Sequence, residues 1–299
     1  MKLKKLDELF SLAKKKQKSR LVVAAAHDKQ VLQAVYSAYS KNIIEPILIG
    51  EEKQIKEICS DLGIDSVSYQ IIHEPDPVTA CYRAVSIIKD GQADILMKGL
   101  VSTAPFLKSI LNKETGIKKH EILSHFALFE IAGYHKLLGL TDAAMNIHPV
   151  LEEKVNIIRN AVEVFHRLGQ KNPKVAVIGP VEVVNEKIES TVHAAILTTM
   201  NRRMQITGCI IDGPLALDNA VNQEAAEHKN IVSEVAGDVD IILTQDLDSG
   251  NILYKSLIFL ANGISAAIVM GADSPVVLTS RADSEASKLM SIVLAAALD

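Results

Sequence analysis

The chain has 299 residues, of which 48% are hydrophobic and 23% charged, and a net charge of −4. This composition is typical of a globular protein with one large domain or two ordinary ones. The slight negative charge disfavours a nucleic-acid or anionic-membrane partner, and an aromatic content of 4% disfavours a base-stacking platform.

The N-terminal segment predicts a short surface helix, because its apolar residues recur at helical spacing. These residues are Leu3, Leu6, Leu9, Phe10 and Ala13. The segment has no continuous apolar core of the signal-peptide kind. The most apolar stretch, residues 256–272, is interrupted by Asn262-Gly263. This pair predicts a helix end followed by a strand, so no membrane span is expected.

Short β-branched runs alternate with longer helical stretches along the whole chain. The predicted strands are 20–25, 46–49, 71–73, 95–97, 136–140, 174–178, 207–212, 241–244 and 266–270. The predicted helices are 29–41, 51–62, 77–90, 105–111, 151–168, 186–198, 256–262 and a closing helix, 283–298. Several strands are apolar throughout, as parallel strands covered on both faces are. The alternation predicts an α/β fold with parallel or mixed sheets and flanking helices.

A division into two lobes is predicted near residues 141–149, where a strand gives way to a polar turn. A cleft between two lobes is a common place for a ligand site. Cys59, Cys81 and Cys209 are far apart and odd in number. They indicate reduced thiols and a cytoplasmic protein rather than a disulfide framework.

The segment after the strand at 95–97 suggests an anion site. Lys98 and Gly99 lead into Ser102 and Thr103, either of which can cap a helix, and Pro105 suits the first helical turn. Free amides at a helix start, with hydroxyls and a lysine nearby, can hold an anion. An ordinary capped junction has the same pattern, and Lys98 directly before the glycine favours function.

Ser280 and Arg281 mark a second helix start near the C-terminus. Ser280 and Asp283 have the spacing of a capping box. An arginine beside a helix start can hold a phosphate with two hydrogen bonds. Taken alone, the pattern slightly favours a structural cap with a surface arginine.

Other polar groups are more simply explained by structure. The carboxylates of Asp212 and Asp246 follow predicted strands and suit helix caps, and His125 suits a packed histidine. The sequence contains no Walker A loop, GxGxxG, GxSxG or HExxH pattern, and its nine histidines show no metal-ligand spacing, so no metal is predicted.

Five segments together resemble the phosphate acetyltransferase and phosphate butyryltransferase family. They are residues 94–103 (DILMKGLVST), 141–146 (TDAAMN), 211–215 (IDGPL), 246–255 (DLDSGNILYK) and 275–281 (PVVLTSR). The first two are most similar to the butyryl branch, and the resemblance covers nearly the whole chain.

The resemblance implies a two-lobed fold similar to the isocitrate and isopropylmalate dehydrogenases, in a homo-oligomer. The first lobe would hold residues 1–140 and 275–299, and the second would hold residues 141–274. The implied activity is the reversible conversion of butanoyl-CoA and phosphate into butanoyl phosphate and coenzyme A. The acyl group would pass directly between small-molecule substrates in a ternary complex, with no permanently bound cofactor.

The resemblance also implies the site residues. Ser280 and Arg281 match the family's Ser-Arg pair, so Arg281 would hold the phosphoryl group and Ser280 the carbonyl oxygen or sulfur. The residues implied to bind substrate are Lys98, Gly99, Ser102, Thr103, Asp142 and Asn146. In the acetyl branch a base follows seven residues after the serine, where this chain has Ser287. Asp283, Asp142 or phosphate itself are the alternative bases.

Three other functions stay open at this point. Acetyl or branched acyl groups could replace butyryl, since one methylene changes preference by only about 1–3 kcal/mol. A dehydrogenase could share the fold, although no convincing carboxylate cluster for its metal is evident. A regulator that binds coenzyme A or phosphate without turnover would fit the absence of aspartate at Ser287.

Overall fold

The computed structural model describes residues 3–280 and 283–299. These residues form two compact units. The terminal unit contains residues 7–123 and 266–299, and the central unit contains residues 3–6 and 124–265. The limits expected from the sequence, after residues 140 and 274, differ from these bounds.

The strands in the described residues are β1 (Ser19–Ala24), β2 (Ile44–Gly50), β3 (Gln70–His73), β4 (Ile95–Lys98), β5 (Ser124–Glu130), β6 (Leu138–Thr141), β7 (Lys174–Ile178), β8 (Ile210–Leu215), β9 (Ile241–Leu243), β10 (Ile264–Met270) and β11 (Val276–Val277). The helices are α1 (Glu8–Ala13), α2 (Lys29–Ser40), α3 (Glu52–Asp61), α4 (Pro77–Lys89), α5 (Thr103–Ile110), α6 (Leu151–Arg167), α7 (Glu189–Arg202), α8 (Leu217–Val221), α9 (Gln223–His228), α10 (Leu247–Phe259) and α11 (Glu285–Leu298).

The sheet of the terminal unit has the strand order β3-β2-β1-β4-β11-β10. Neighbouring strands from β3 to β11 are parallel, and β10 pairs antiparallel to β11 through Val269 and Val276. Helices connect the parallel strands, as parallel pairing requires a crossover. The alternation of strands and helices therefore gives the α/β arrangement that the sequence predicts.

The central unit has the strand order β5-β6-β9-β7-β8. Strands β6, β9, β7 and β8 are parallel, and β5 pairs antiparallel to β6. The unit therefore has a mixed sheet, which agrees with the predicted class of parallel or mixed sheets.

Helix α11 returns the end of the chain to the terminal unit. Its residues from Met290 to Leu298 are all buried, and α1 and α2 both pack against it. The predicted N-terminal surface helix exists as α1, and Leu9 is fully buried there. No helix among the residues described is long and apolar enough to span a membrane.

The main differences from the sequence-based prediction concern five elements. Strands β5 and β11 and helices α8 and α9 were not predicted, and α10 begins at Leu247 rather than at residue 256. The predicted helix end at Asn262-Gly263 is confirmed, because α10 ends at Phe259 and Asn262 has a φ of 51°. Strand β11 has only two residues, so its pattern is too short to distinguish from a loop.

Candidate active site

Three parallel strands of the terminal unit end side by side. β4 lies between β1 and β11, with Lys98 opposite Ala24 and Met97 opposite Val277. Because the carboxyl ends of parallel strands meet at the same edge of a sheet, the segments after these strands lie together. At this edge the structure has a pocket with a volume of about 240 Å³.

The pocket combines residues from four segments of the terminal unit. Its lining residues are Asp28, Lys29, Gln30 and Val31 at the start of α2, Lys98 and Gly99 at the end of β4, Thr279 and Ser280 after β11, and Lys288 in α11. Three predicted site residues, Lys98, Gly99 and Ser280, therefore lie at one pocket.

Gly99 lies where two backbone segments come very close. Its amide donates to the carbonyl of Ala24, with N and O 2.8 Å apart. A Cβ at position 99 would lie 2.2 Å from the carbonyl oxygen of Ala25 and 2.7 Å from that of Ala24. Glycine is required here for this close approach.

Lys98 places a buried amino group at the pocket. The side chain lies at the carboxyl end of β4, and the residue is only 8% exposed. Its Nζ donates to the carbonyls of Gly99, at 3.2 Å, and Val101, at 3.0 Å. These backbone oxygens hold the amino group near the turn at the pocket, where its charge can act on a bound anion.

The capping-box spacing suggested that Ser280 caps the closing helix, but the structure shows a different cap. Helix α11 begins at Glu285, and its cap is Ser284, whose Oγ accepts from the amide of Ser287 at 3.1 Å. Asp283 does take part in the turn, since its Oδ2 accepts from the amide of Ser280 at 2.6 Å. This bond orients the segment that carries Ser280 along the pocket. Arg281 lies outside the described residues.

Ser102 and Thr103 are not among the described residues that line this pocket. Ser102 has the backbone conformation of a cap for α5, but its side chain makes no capping hydrogen bond. Both residues are exposed, and Pro105 lies in the first turn of α5, as predicted. The helix start is confirmed, whereas a role of the two hydroxyls in binding stays a prediction.

Asp142 and Asn146 belong to the central unit, where they form a closed turn. The carboxylate of Asp142 accepts from three backbone amides, those of His125, Ala144 and Met145, at 2.9–3.2 Å. It also accepts from Nδ2 of Asn146 at 2.5 Å. With four donors on its two oxygens, this carboxylate primarily orders the loop after β6. Substrate contacts of Asp142 and Asn146 stay predictions.

Lys288 is the principal pocket residue that sequence reasoning missed. It lies in the first turns of α11 and is 3% exposed. Its Nζ donates to Oε1 of Gln30 at 3.0 Å and to the carbonyl of Asp283 at 2.5 Å. Burial lowers the pKa of Lys288, although Asp283 and Asp28 oppose this effect. A lysine at the start of a mostly apolar helical run, residues 289–298, was the available signal.

The cysteines do not have the features of nucleophiles. Burial raises the pKa of Cys59, that of Cys81 to about 11 and that of Cys209 to about 12. A thiolate is the reactive form, and these thiols are protonated near neutral pH. Among the described residues, no group of three or more histidine, cysteine or acidic side chains could hold a metal ion.

The chain also matches known proteins over almost all of its length. Residues 5–78 and 77–296 match the family model described as phosphate acetyl/butaryl transferase. The chain belongs to this family. It is therefore an acyltransferase, and membership in the family removes the dehydrogenase alternative.

Two relatives differ in the acyl group of their names. Phosphate butyryltransferase of Clostridium beijerinckii is 46% identical over 293 residues, covering 98% of this chain and 97% of the relative. Phosphate acetyltransferase of Thermotoga maritima is 44% identical over 291 residues, covering 97% of this chain and 98% of the relative. The sequence identity to the butyryltransferase and to the acetyltransferase is therefore almost the same, and identity alone does not indicate which acyl group this chain prefers.

Solved structures share the fold. A branched-chain phosphotransacylase from Enterococcus faecalis has a TM-score of 0.85 and 33% identity, covering 94% of this chain and 98% of that chain. The 4-hydroxythreonine-4-phosphate dehydrogenase of Klebsiella pneumoniae has a TM-score of 0.54 at 14% identity, which shows likeness of fold alone. The predicted α/β fold and its likeness to a dehydrogenase fold are confirmed.

Proposed function

We propose that this acyltransferase acts as a phosphate butyryltransferase, with butanoyl-CoA and inorganic phosphate as substrates and butanoyl phosphate and coenzyme A as products. The observation that carries this proposal is the pocket at the ends of β1, β4 and β11, in a chain of this family. Two buried lysines, Lys98 and Lys288, and the backbone next to Ser280 meet there.

The reaction requires groups that hold negative charge. Phosphate is an anion, and the carbonyl oxygen gains charge when the tetrahedral intermediate forms. The amino group of Lys98 and the first amides of α2 at the pocket suit the phosphate. We assign the phosphoryl group also to Arg281 and the carbonyl oxygen or sulfur to Ser280. Placing the two reactants in contact contributes several kcal/mol by itself.

Direct transfer between the substrates is the mechanism we favour. The three cysteines are buried and have raised pKa values, which does not favour an acyl-cysteine intermediate. The acyl group would then pass in one ternary complex from sulfur to phosphate oxygen or back. A cytoplasmic location, which the three separated cysteines support, and a homo-oligomer, which the family resemblance implies, belong to the same proposal.

A panel of acyl-CoA substrates from acetyl to hexanoyl, including branched groups, tests this function. Each is assayed with phosphate for release of free thiol, and kcat/KM is compared. We expect the highest value with butanoyl-CoA. A maximum at acetyl or at a branched group would instead assign the acetyltransferase or branched-chain activity that the names of relatives carry. Binding of coenzyme A without turnover would indicate a regulator.

Arg281→Ala tests the assignment of the phosphoryl group. We expect turnover to fall by about two to three orders of magnitude, as when one donor to transition-state charge is lost, while the thermal unfolding temperature is unchanged. Near-normal activity of this variant with butanoyl-CoA and phosphate would contradict the assignment.

A further inference from the structure

The proposed reaction needs a group that takes a proton from a thiol. When coenzyme A attacks an acyl phosphate, its sulfur reacts as a thiolate, but a thiol with a pKa of about 8.5 is mostly protonated at neutral pH. Residue 287, where the acetyl-branch pattern would put a base, is a serine, and the Oγ atoms of Ser284 and Ser287 are 3.2 Å apart. A hydroxyl of this kind is not a proton acceptor near neutral pH.

The carboxylates next to the pocket already bind backbone amides. Asp28 caps α2 by accepting from the amide of Val31 at 2.9 Å. Asp283 accepts from the amide of Ser280 at 2.6 Å. These two side chains are better explained as orienting groups for the segments that line the pocket.

Lys288 has the geometry that a proton acceptor needs. Its nitrogen is tetrahedral and makes two hydrogen bonds as donor, to Oε1 of Gln30 and to the carbonyl of Asp283. Both partners are acceptors, so a neutral amine can satisfy them with its two hydrogens. The remaining tetrahedral position then holds the lone pair. Lys288 lines the pocket, so a substrate bound there lies next to this side chain.

We propose that Lys288 is the general base of the reaction, an inference that rests on the proposed function. In the direction of acyl phosphate use, the Lys288 lone pair takes the thiol proton as sulfur bonds to the carbonyl carbon. The bond from that carbon to the phosphate oxygen then breaks, and phosphate leaves with the electron pair. In the reverse direction, phosphate oxygen attacks the thioester, and the ammonium of Lys288 returns the proton to the departing sulfur.

The surroundings of Lys288 favour the neutral amine more than solvent does. Burial lowers the pKa of Lys288, so a larger fraction is neutral near pH 7 than for an exposed lysine. The charged groups that face it come from several elements: Asp28 and Lys29 from α2, Lys98 from β4, and Asp283 from the segment before α11. The two carboxylates oppose the effect of burial, which is the larger of the two.

Substitution of Lys288 by Met and by Arg separates a base from a simple cation. Lys288→Met keeps the apolar stem without an acceptor, and we expect kcat to fall by about 10²–10⁴-fold with a changed pH profile. Lys288→Arg keeps a positive charge but cannot accept a proton near neutral pH, so it should be equally impaired. Lys53→Met, on the exposed side of α3, is the matched control and should be unchanged.

Chemical rescue supplies the readout that a structural role would not affect. Small primary amines added to Lys288→Met should restore activity in proportion to their concentration, with rates that depend on the pKa of the amine. Near-wild-type activity of Lys288→Arg would show that the residue acts as a cation, and the proposal would be wrong. A folded Lys288→Met variant with normal activity, or with no rescue by any amine, would also contradict it.

The two proposals fail in different ways. If the wild-type protein converts no acyl-CoA with phosphate, the proposed function fails. If the wild type is active and Arg281→Ala is impaired, but Lys288→Arg is not, only the assignment of the base fails. If Lys288→Met does not fold, as judged by thermal unfolding, the comparison of wild type with Lys288→Arg still decides between base and cation.

Discussion

Gly99 shows how one residue without a side chain allows the pocket to form. Because β1 and β4 are adjacent and parallel, the backbone after β4 passes directly against the carbonyls of Ala24 and Ala25. Any Cβ at position 99 would be closer to these oxygens than van der Waals contact permits. The backbone at the carboxyl end of β4, which carries Lys98, can therefore keep this path only if residue 99 is glycine.

Gly99→Ala should consequently reduce both stability and activity. We expect a loss of about 1–3 kcal/mol in the free energy of unfolding, because backbone must shift to relieve the contact. Gly133→Ala is the matched control, since a Cβ there would meet nothing within 4 Å. Denaturant unfolding of both variants measures the difference, and equal stability of the two would disprove the steric argument.

Ser280 and Ser284 have the same side chain but different expected roles. Ser284 caps α11 through its Oγ, whereas Ser280 lines the pocket. We expect Ser284→Ala to cost about 1 kcal/mol of stability, as loss of an N-cap does. Ser280→Ala should instead reduce kcat by about 10²–10³-fold if its hydroxyl stabilises the developing charge, with little change in stability.

Thermal unfolding and steady-state rates of the two serine variants distinguish these roles. If Ser280→Ala lost stability but kept its rate, the role of Ser280 would be structural rather than catalytic. A loss of rate confined to Ser284→Ala would contradict the assignment of the pocket hydroxyl.

At the scale of elements, a partly buried ion network joins three strands of the central unit at their amino ends. Lys136 precedes β6, Asp240 precedes β9, and both side chains are almost fully buried, with Nζ and Oδ1 2.5 Å apart. Lys174 begins β7, and its Nζ lies 2.8 Å from Oδ2 of Asp238. Since β9 lies between β6 and β7, the network fixes the alignment of these neighbouring strands.

Lys136→Met should strongly destabilise the central unit. It leaves the carboxylate of Asp240 buried without its cation, which typically costs about 3–5 kcal/mol. Lys18→Met is the matched control, because the Lys18 and Glu45 pair is solvent-exposed and contributes little to stability. Denaturant midpoints of the two variants measure this contrast, and a shift no larger in Lys136→Met than in Lys18→Met would refute it.

Helix α10 illustrates why an element can be longer than its sequence pattern. Its first turn contains Asp248, Ser249 and Gly250, residues that favour turns. Asp246 nevertheless caps the helix, with its Oδ1 accepting from the amide of Ser249 at 2.8 Å, as its position after a strand predicted. A Cβ at Gly250 would lie 2.3 Å from the carbonyl oxygen of Asp142. Tertiary packing therefore overrides local propensity here.

For the whole molecule, the same ion network predicts a response to acid. Burial raises the pKa of Asp238, but hydrogen bonds from Lys136, Lys174 and His135 outweigh it and hold that pKa well below its usual range. A carboxyl group with a depressed pKa in the folded state contributes stability above the unfolded pKa of about 4. This contribution is lost as pH falls below that value toward the lower folded pKa.

Asp238→Asn should therefore make the free energy of unfolding less dependent on pH under acidic conditions. The variant should be less stable than the wild type at pH 7, and the difference should shrink as pH falls below about 4. Because Asp238 is 30% exposed, the effect is reduced by solvent screening. Unfolding measured by circular dichroism across this pH range tests it, and a difference independent of pH would contradict the assignment.

Periodicity and local composition alone determined most strands and helices, because hydrophobic spacing follows secondary structure directly. Family membership followed from five segments whose residues can be matched without coordinates. The two-residue strand β11 and the antiparallel strand β5 were not predicted from the sequence, because the pairing that defines each strand involves another part of the chain. Only the tertiary structure aligned β1, β4 and β11 and so placed Ser280 beside Lys98 and Lys288. That arrangement depends on strand register and helix packing, which no local pattern records.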